Sequence, residues 1–210
     1  MDATGEGNTV DVVLKVGGAL VRDPVLFARA MTALEQIPAG TRILIVPGGG
    51  PFADVVRTLD RAYALDDDTN HWLAVLAMDQ YAHFLVSKLA RARLVECPAD
   101  VETALSDARL PVLAPYRWLR KDDPLPHSWS VTSDSIAAWV ALNCGASDLI
   151  LLKAVDGAVA ELTDPYFRRY TEDPTGPLRI QISTVPNIEA LVTERATASD
   201  SMRQETRVLS

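Results

Sequence analysis

Lys15 stands inside the run Val12-Val13-Leu14-Lys15-Val16 and is followed at once by Gly17-Gly18. An apolar run of this length reads as a buried strand, and an ammonium within it is expensive to bury unless an anion meets it. Two glycines directly after the strand let backbone N–H groups approach a ligand closely. A strand that delivers a fixed lysine and a bare turn to one place has the makings of a phosphate site. Taken alone, the pattern also fits a β-turn with a snorkelling surface lysine. The stretch Arg42 to Gly50 repeats the logic: an apolar strand runs into Gly48, Gly49 and Gly50. A third group begins at Val131-Thr132-Ser133-Asp134, which reads as a helix start. Asp134 in the first turn complements the helix dipole. The strand Leu149 to Lys153 again ends in a lysine, and Asp156-Gly157 follows as a turn pair.

Other chemistries are missing from the sequence. No G-x-G-x-x-G follows a strand, no G-x-x-x-x-G-K-[ST] is present, and no G-x-S-x-G occurs. His71, His83 and His127 lack metal-ligand spacing, so no metal-ligating residues are expected; His71 and His83 read as plain surface or core residues of a helix.

The elements that must position these residues alternate between strand and helix. Strands are expected over Val10–Val16, Arg42–Val46, Leu94–Cys97, Leu110–Ala114, Asp148–Lys153 and Arg179–Ile182. Asp23-Pro24 caps a helix whose stripe is Leu26, Phe27, Ala30, Met31 and Leu34. Phe52, Val55, Val56 and Leu59 mark a helix after the three glycines, its N-terminus pointing back at Gly48 to Gly50. Asp68 or Thr69 caps a long helix to about Leu89, and Val101–Ala108 is a short helix. Trp118–Ser130 reads as irregular. Thr132 or Ser133 caps the helix Asp134–Cys144, and Ile188–Val192 is a short helix. Strands apolar on both faces and alternating with helices predict an α/β fold: a three-layer αβα sandwich around a mainly parallel sheet. Ligands in such folds sit beyond the carboxyl ends of the strands, where Lys15 and both glycine turns fall. Residues 1–9 read as a disordered leader, 10–195 as a single domain and 196–210 as a frayed tail.

The 210 residues carry a net charge of −8 and are 48% hydrophobic, the balance of a globular protein without the basic footprint of a nucleic-acid binder. No apolar run is long enough to span a membrane, and the acidic first nine residues are no secretory signal, so a cytoplasmic location is expected. Cys97 and Cys144 read as free buried thiols.

Taken in order, Lys15 to Gly18, Gly48 to Gly50, Ser133 to Ala137 and Ile150 to Gly157 resemble the amino acid kinase family over about residues 10–160. The resemblance implies phosphoryl transfer from ATP, with Mg²⁺, to a phosphate or carboxylate, without a covalent enzyme intermediate, and a homo-oligomer. Within it, Pro47 to Asp54, Leu76 to Tyr81 and Ser128 to Ser135 are most similar to small kinases that act on an aminomethyl-furanmethanol phosphate in methanofuran synthesis. On that scheme Lys15 bridges donor and acceptor phosphoryl oxygens, Gly17 and Gly18 hold the transferring group, and Gly48 to Gly50 hold the acceptor phosphate. Asp134 fixes the lysine by an ion pair, and Lys153, Asp156 and Gly157 belong to the nucleotide side. Asp79 is the candidate partner of an acceptor ammonium, with His127 and Trp129 closing over its ring. The family's second lysine, in a late Met-x-x-Lys helix, has no counterpart at Met202-Arg203-Gln204-Glu205. Either Lys153 or an arginine such as Arg179 replaces it, or the protein is a non-catalytic nucleotide or oxyanion binder on the same fold.

Overall fold

The computed structural model describes residues 10–171, 178–188 and 190. The expectations for residues 1–9, for the late Met202 to Glu205 stretch and for the 196–210 tail lie outside them. The first strand, β1 (Val12–Val16), is buried at every position. Asp23 then accepts hydrogen bonds from the Val25 and Leu26 amides and caps α1 (Pro24–Glu35), with Pro24 in the first turn where its missing N–H costs nothing. There follow β2 (Ile43–Pro47), α2 (Gly50–Tyr63), α3 (Asp67–Val86), β3 (Ala92–Val95), α4 (Pro98–Ser106) and β4 (Leu110–Leu113). The order continues through α5 (Tyr116–Asp122), α6 (Ser133–Asn143), β5 (Asp148–Lys153), α7 (Val159–Leu162) and β6 (Arg179–Thr184).

The six strands form one sheet in the order β3-β4-β2-β1-β5-β6, and every pairing is parallel. This is the α/β sandwich that the two-sided apolar strands predict. β1 lies in the middle, between β2 and β5. Its side chains alternate between two cores, as the two-residue period of a strand requires. Val13 joins Leu149, Leu151 and the α6 residues Ile136, Ala137 and Val140 on one face. Leu14 and Val16 join Ile43, Ile45, Ile150 and the α1 residues Phe27, Ala30 and Leu34 on the other.

Several local expectations need correction. Val55 and Leu59 on α2 are exposed; Val56 is buried, and Ala53 is buried with it. The α3 cap is Asp66, whose carboxylate accepts from the Thr69 amide. Four consecutive residues, Asp66 to Thr69, can all cap. Taking the first leaves Asp67 and Asp68 in the opening turn, where carboxylates favour the dipole. α3 also stops at Val86, short of Leu89. The segment expected to be irregular begins with helix α5, which buries Trp118 and Leu119. Cys97 and Cys144 are both free, and only Cys144 is buried. Among the described residues no helix is long and apolar enough to cross a membrane.

Candidate active site

Strand periodicity aims Lys15 at the same face as Val13, and Lys153 at the same face as Leu149 and Leu151. The β1–β5 register sets Lys15 opposite Leu151, so Lys153 lies two residues further toward the carboxyl end on the neighbouring strand. α6 covers this face and begins there, with Asp134 in its first turn. The three side chains therefore converge. Lys15 Nζ lies 2.9 Å from Asp134 Oδ1, and Lys153 Nζ lies 2.7 Å from Asp134 Oδ2. Lys153 also donates to the Leu162 carbonyl at 2.8 Å, which ties it to α7. Lys15 is 4% exposed. Burial works to raise the Asp134 pKa, but the two ammonium groups outweigh it and hold the carboxyl below its ordinary value. Burial, helped by the charge of Lys15, lowers the Lys153 pKa against the pull of Asp134. Two cations on one anion leave a site in want of negative charge.

The glycines shape the floor. A Cβ on Gly18 would lie 2.3 Å from the Gly50 nitrogen, and one on Gly48 would lie 2.8 Å from the Gly18 nitrogen. The two turns thus interlock backbone to backbone, a packing that admits no side chain. Their amides divide into two sets. Gly17 N donates to Leu152 O and Gly48 N donates to Val16 O, both at 2.9 Å. Those two amides continue the sheet and are not offered to a phosphate, which corrects the expectation that every glycine of the turns would be. Gly18, Gly49 and Gly50 lie beyond these last sheet bonds: Gly18 opens a 3₁₀ turn, and Gly49 and Gly50 stand at the start of α2, where helix N–H groups and dipole favour an anion.

Beside the trio lies an open cleft. Its lining includes Gly49, Asn70, Met78, Trp129 and Ser133. Trp129 thus faces the cleft, and its Nε1 donates to Asp60 at 2.9 Å. His127 stacks on His71 with ring centroids 4.0 Å apart and reaches the carboxylates of Asp68 and Asp123, each at 2.8 Å. His71 lines the cleft and stays neutral: burial, then the His127 charge, brings its pKa down to about 4. Asp156 and Gly157 follow Lys153 on the same end of β5 and are exposed, with the Asp156 carboxylate accepting from the Gly157 amide. Arg179 opens β6 and pairs with Asp148 at 2.8 Å, at the opposite end of β5 from Lys153. It is therefore not the substitute for the family's late lysine.

Asp79 is not part of this assembly. It does not line the cleft, and its carboxylate accepts from the Tyr116 amide at 3.0 Å. It caps α5 from a neighbouring helix, a use that neither an exposed helix face nor an amine contact anticipates. Burial pushes its pKa from 3.8 up to about 6. A folded-state pKa above the unfolded one means that the native protein binds the proton more tightly, so Asp79 costs stability as pH rises from about 4 through 6. Asp79→Asn keeps an acceptor for the Tyr116 amide and removes the charge. The variant should match wild type in thermal unfolding at pH 4 and exceed it at pH 7.5. An equal or lower melting temperature at pH 7.5 would refute the assignment.

Asp164 is the residue that the sequence reading missed. It is 7% exposed and accepts from the Thr132 amide and hydroxyl, the Ser135 amide and hydroxyl, and the Phe167 amide. It caps its own 3₁₀ turn and, across space, the start of α6, so it fixes the turn that carries Asp134. Asp164-Pro165 repeats the Asp23-Pro24 signal and could have revealed the first cap; nothing local reveals the second.

The profile of the amino acid kinase family matches residues 12–160. The chain belongs to the amino acid kinase family. It is 30% identical over 147 residues to the [5-(aminomethyl)furan-3-yl]methyl phosphate kinase of Methanocaldococcus jannaschii, an alignment covering 69% of this chain and 66% of that relative, just under two thirds of its length. The family fold also appears in two solved structures. Uridylate kinase from Archaeoglobus fulgidus superposes with a TM-score of 0.62 at 17% identity, over 88% of this chain and 96% of that one. UMP kinase from Ureaplasma parvum gives 0.53 at 18%, over 73% and 74%.

Proposed function

We propose that this protein is an ATP-dependent kinase that transfers the γ-phosphoryl group to the phosphate of a small acceptor, of which [5-(aminomethyl)furan-3-yl]methyl phosphate is the favoured case. The observation that carries the reading is the convergence of Lys15 and Lys153 on buried Asp134, beside two interlocked glycine turns at the carboxyl ends of adjacent strands. The name of the relative from Methanocaldococcus jannaschii supports the acceptor.

The chemistry asks little of the protein beyond charge and alignment. An acceptor phosphate oxygen attacks the γ-phosphorus, the bond from that phosphorus to the β–γ bridging oxygen breaks, and ADP leaves with the electron pair. An ionised phosphate needs no general base. Bringing two phosphates together concentrates negative charge, and the ammonium groups of Lys15 and Lys153 answer it from fixed positions. Asp134 holds both lysines in place as their shared counter-ion. Lys153 thereby supplies the second cation that the missing late lysine would have given. Gly18, Gly49 and Gly50 offer amides to phosphate oxygens. Mg²⁺ would be held by nucleotide oxygens and water and would supply further neutralising charge.

ADP release tests this directly. With ATP and Mg²⁺, the furan phosphate should give stoichiometric ADP and a diphosphate product. ADP formed only with another phosphomonoester would move the acceptor assignment. ATP binding without ADP release on any phosphomonoester would favour the non-catalytic binder.

A further inference from the structure

Asn70 lies in the first turns of α3, is 4% exposed and lines the cleft. Its amide nitrogen donates to the Leu65 carbonyl at 3.2 Å and faces the Asp60 carboxylate, whose pKa it helps to hold below the ordinary value. Both partners are acceptors, so the orientation of the amide is fixed: the NH₂ end must face them. Its oxygen is left buried without a partner. Asp60 also receives the Trp129 indole N–H, so one carboxylate braces two walls of the cleft. An amide whose NH₂ end sits on a carboxylate is polarised toward its oxygen. Arg57, the cationic residue of the lining, pairs with Asp54 at 3.2 Å.

We propose that the Asn70 carbonyl is the specificity element of the cleft, accepting a hydrogen bond from an ammonium-bearing head group at the far end of a flat phosphomonoester, with Asp60 as its positioning residue. The inference rests on the kinase reading above and deepens it. The acceptor phosphate sits at the Gly49 and Ser133 end, beside the lysines. The apolar body of the acceptor lies between Trp129 and Met78. A head group without a donor would leave the Asn70 oxygen unpaired inside a filled cleft, and that loss makes the site discriminate. Asn70 therefore takes the role that the sequence suggested for Asp79.

The test compares [5-(aminomethyl)furan-3-yl]methyl phosphate with its deaminated analogue, (5-methylfuran-3-yl)methyl phosphate, by calorimetry on the full chain. Wild type should bind the amine at least tenfold more tightly. Asn70→Leu should abolish that preference while its affinity for the deaminated analogue stays within threefold of wild type. Asp60→Asn, at a half-buried position outside the lining, should cut the preference at least threefold, because the amide dipole loses the charge that orients it. The ratio of the two affinities would not move if Asn70 served only the fold. A wild type without the preference, or a preference undiminished in either folded variant, overturns the proposal and leaves the kinase reading intact. Wild-type protein that binds neither furan phosphate overturns the proposal and the furan acceptor, and ADP release on other phosphomonoesters then decides the kinase reading.

Discussion

Lys15→Ala should lower turnover per folded molecule by about 10²–10³-fold, the effect of removing one fixed group aimed at charge that gathers during transfer, or about 3–4 kcal/mol of barrier. Stability should change far less. Asp134 keeps Lys153 at 2.7 Å, so losing Lys15 does not strand a buried carboxylate. The experiment pairs ADP-release kinetics with thermal unfolding of the same preparation. Turnover within threefold of wild type would mean that Lys15 is a structural partner of Asp134 and no more.

Asp134→Ala should do the reverse damage first. Its side chain is the shared counter-ion of two buried ammonium groups. Without it two like charges face each other in a site with little water, and removing one member of a buried ion pair costs about 3–5 kcal/mol. One lysine then tends to give up its proton, because burial and like charge both disfavour the charged form. An anion should repair this defect. Inorganic phosphate or ATP should therefore raise the unfolding temperature of Asp134→Ala by more than that of wild type, even though catalysis is lost. Denaturant titration reads the first effect and ligand-dependent unfolding the second. A stability loss under about 1 kcal/mol, the scale of an exposed pair, would show that Asp134 is not the electrostatic centre of the site.

The two predictions differ because the three residues are not equivalent. Each lysine can be lost and leave Asp134 one partner, whereas Asp134 has no stand-in. That asymmetry comes from the spacing of strands in the sheet. Lys15 and Lys153 sit on adjacent parallel strands, and only a residue at the start of the helix above both strands can touch both.

The sequence by itself determined the secondary structure that matters and the kind of chemistry. Apolar runs on both faces dictated parallel strands, Asp23-Pro24 dictated a helix start, and lysine or glycine at strand ends dictated where a phosphate would be met. Those signals are local: each depends on residues within one turn or one strand of each other. What the tertiary structure alone decided was which distant groups share a charge or a hydrogen bond. Lys15 and Lys153 are brought together by a register that pairs Lys15 with Leu151. Asp164 caps α6 from the 3₁₀ turn that follows α7. Asp79 spends its carboxylate on the Tyr116 amide, 37 residues away, and so gives α5 the start that its own sequence lacks. Gly17 and Gly48, identical by type to their neighbours, lose their amides to the sheet, while Gly18 and Gly50 meet backbone to backbone. Residue type fixes what a group can do; only the fold fixes whether its hydrogen bonds and charge are already taken.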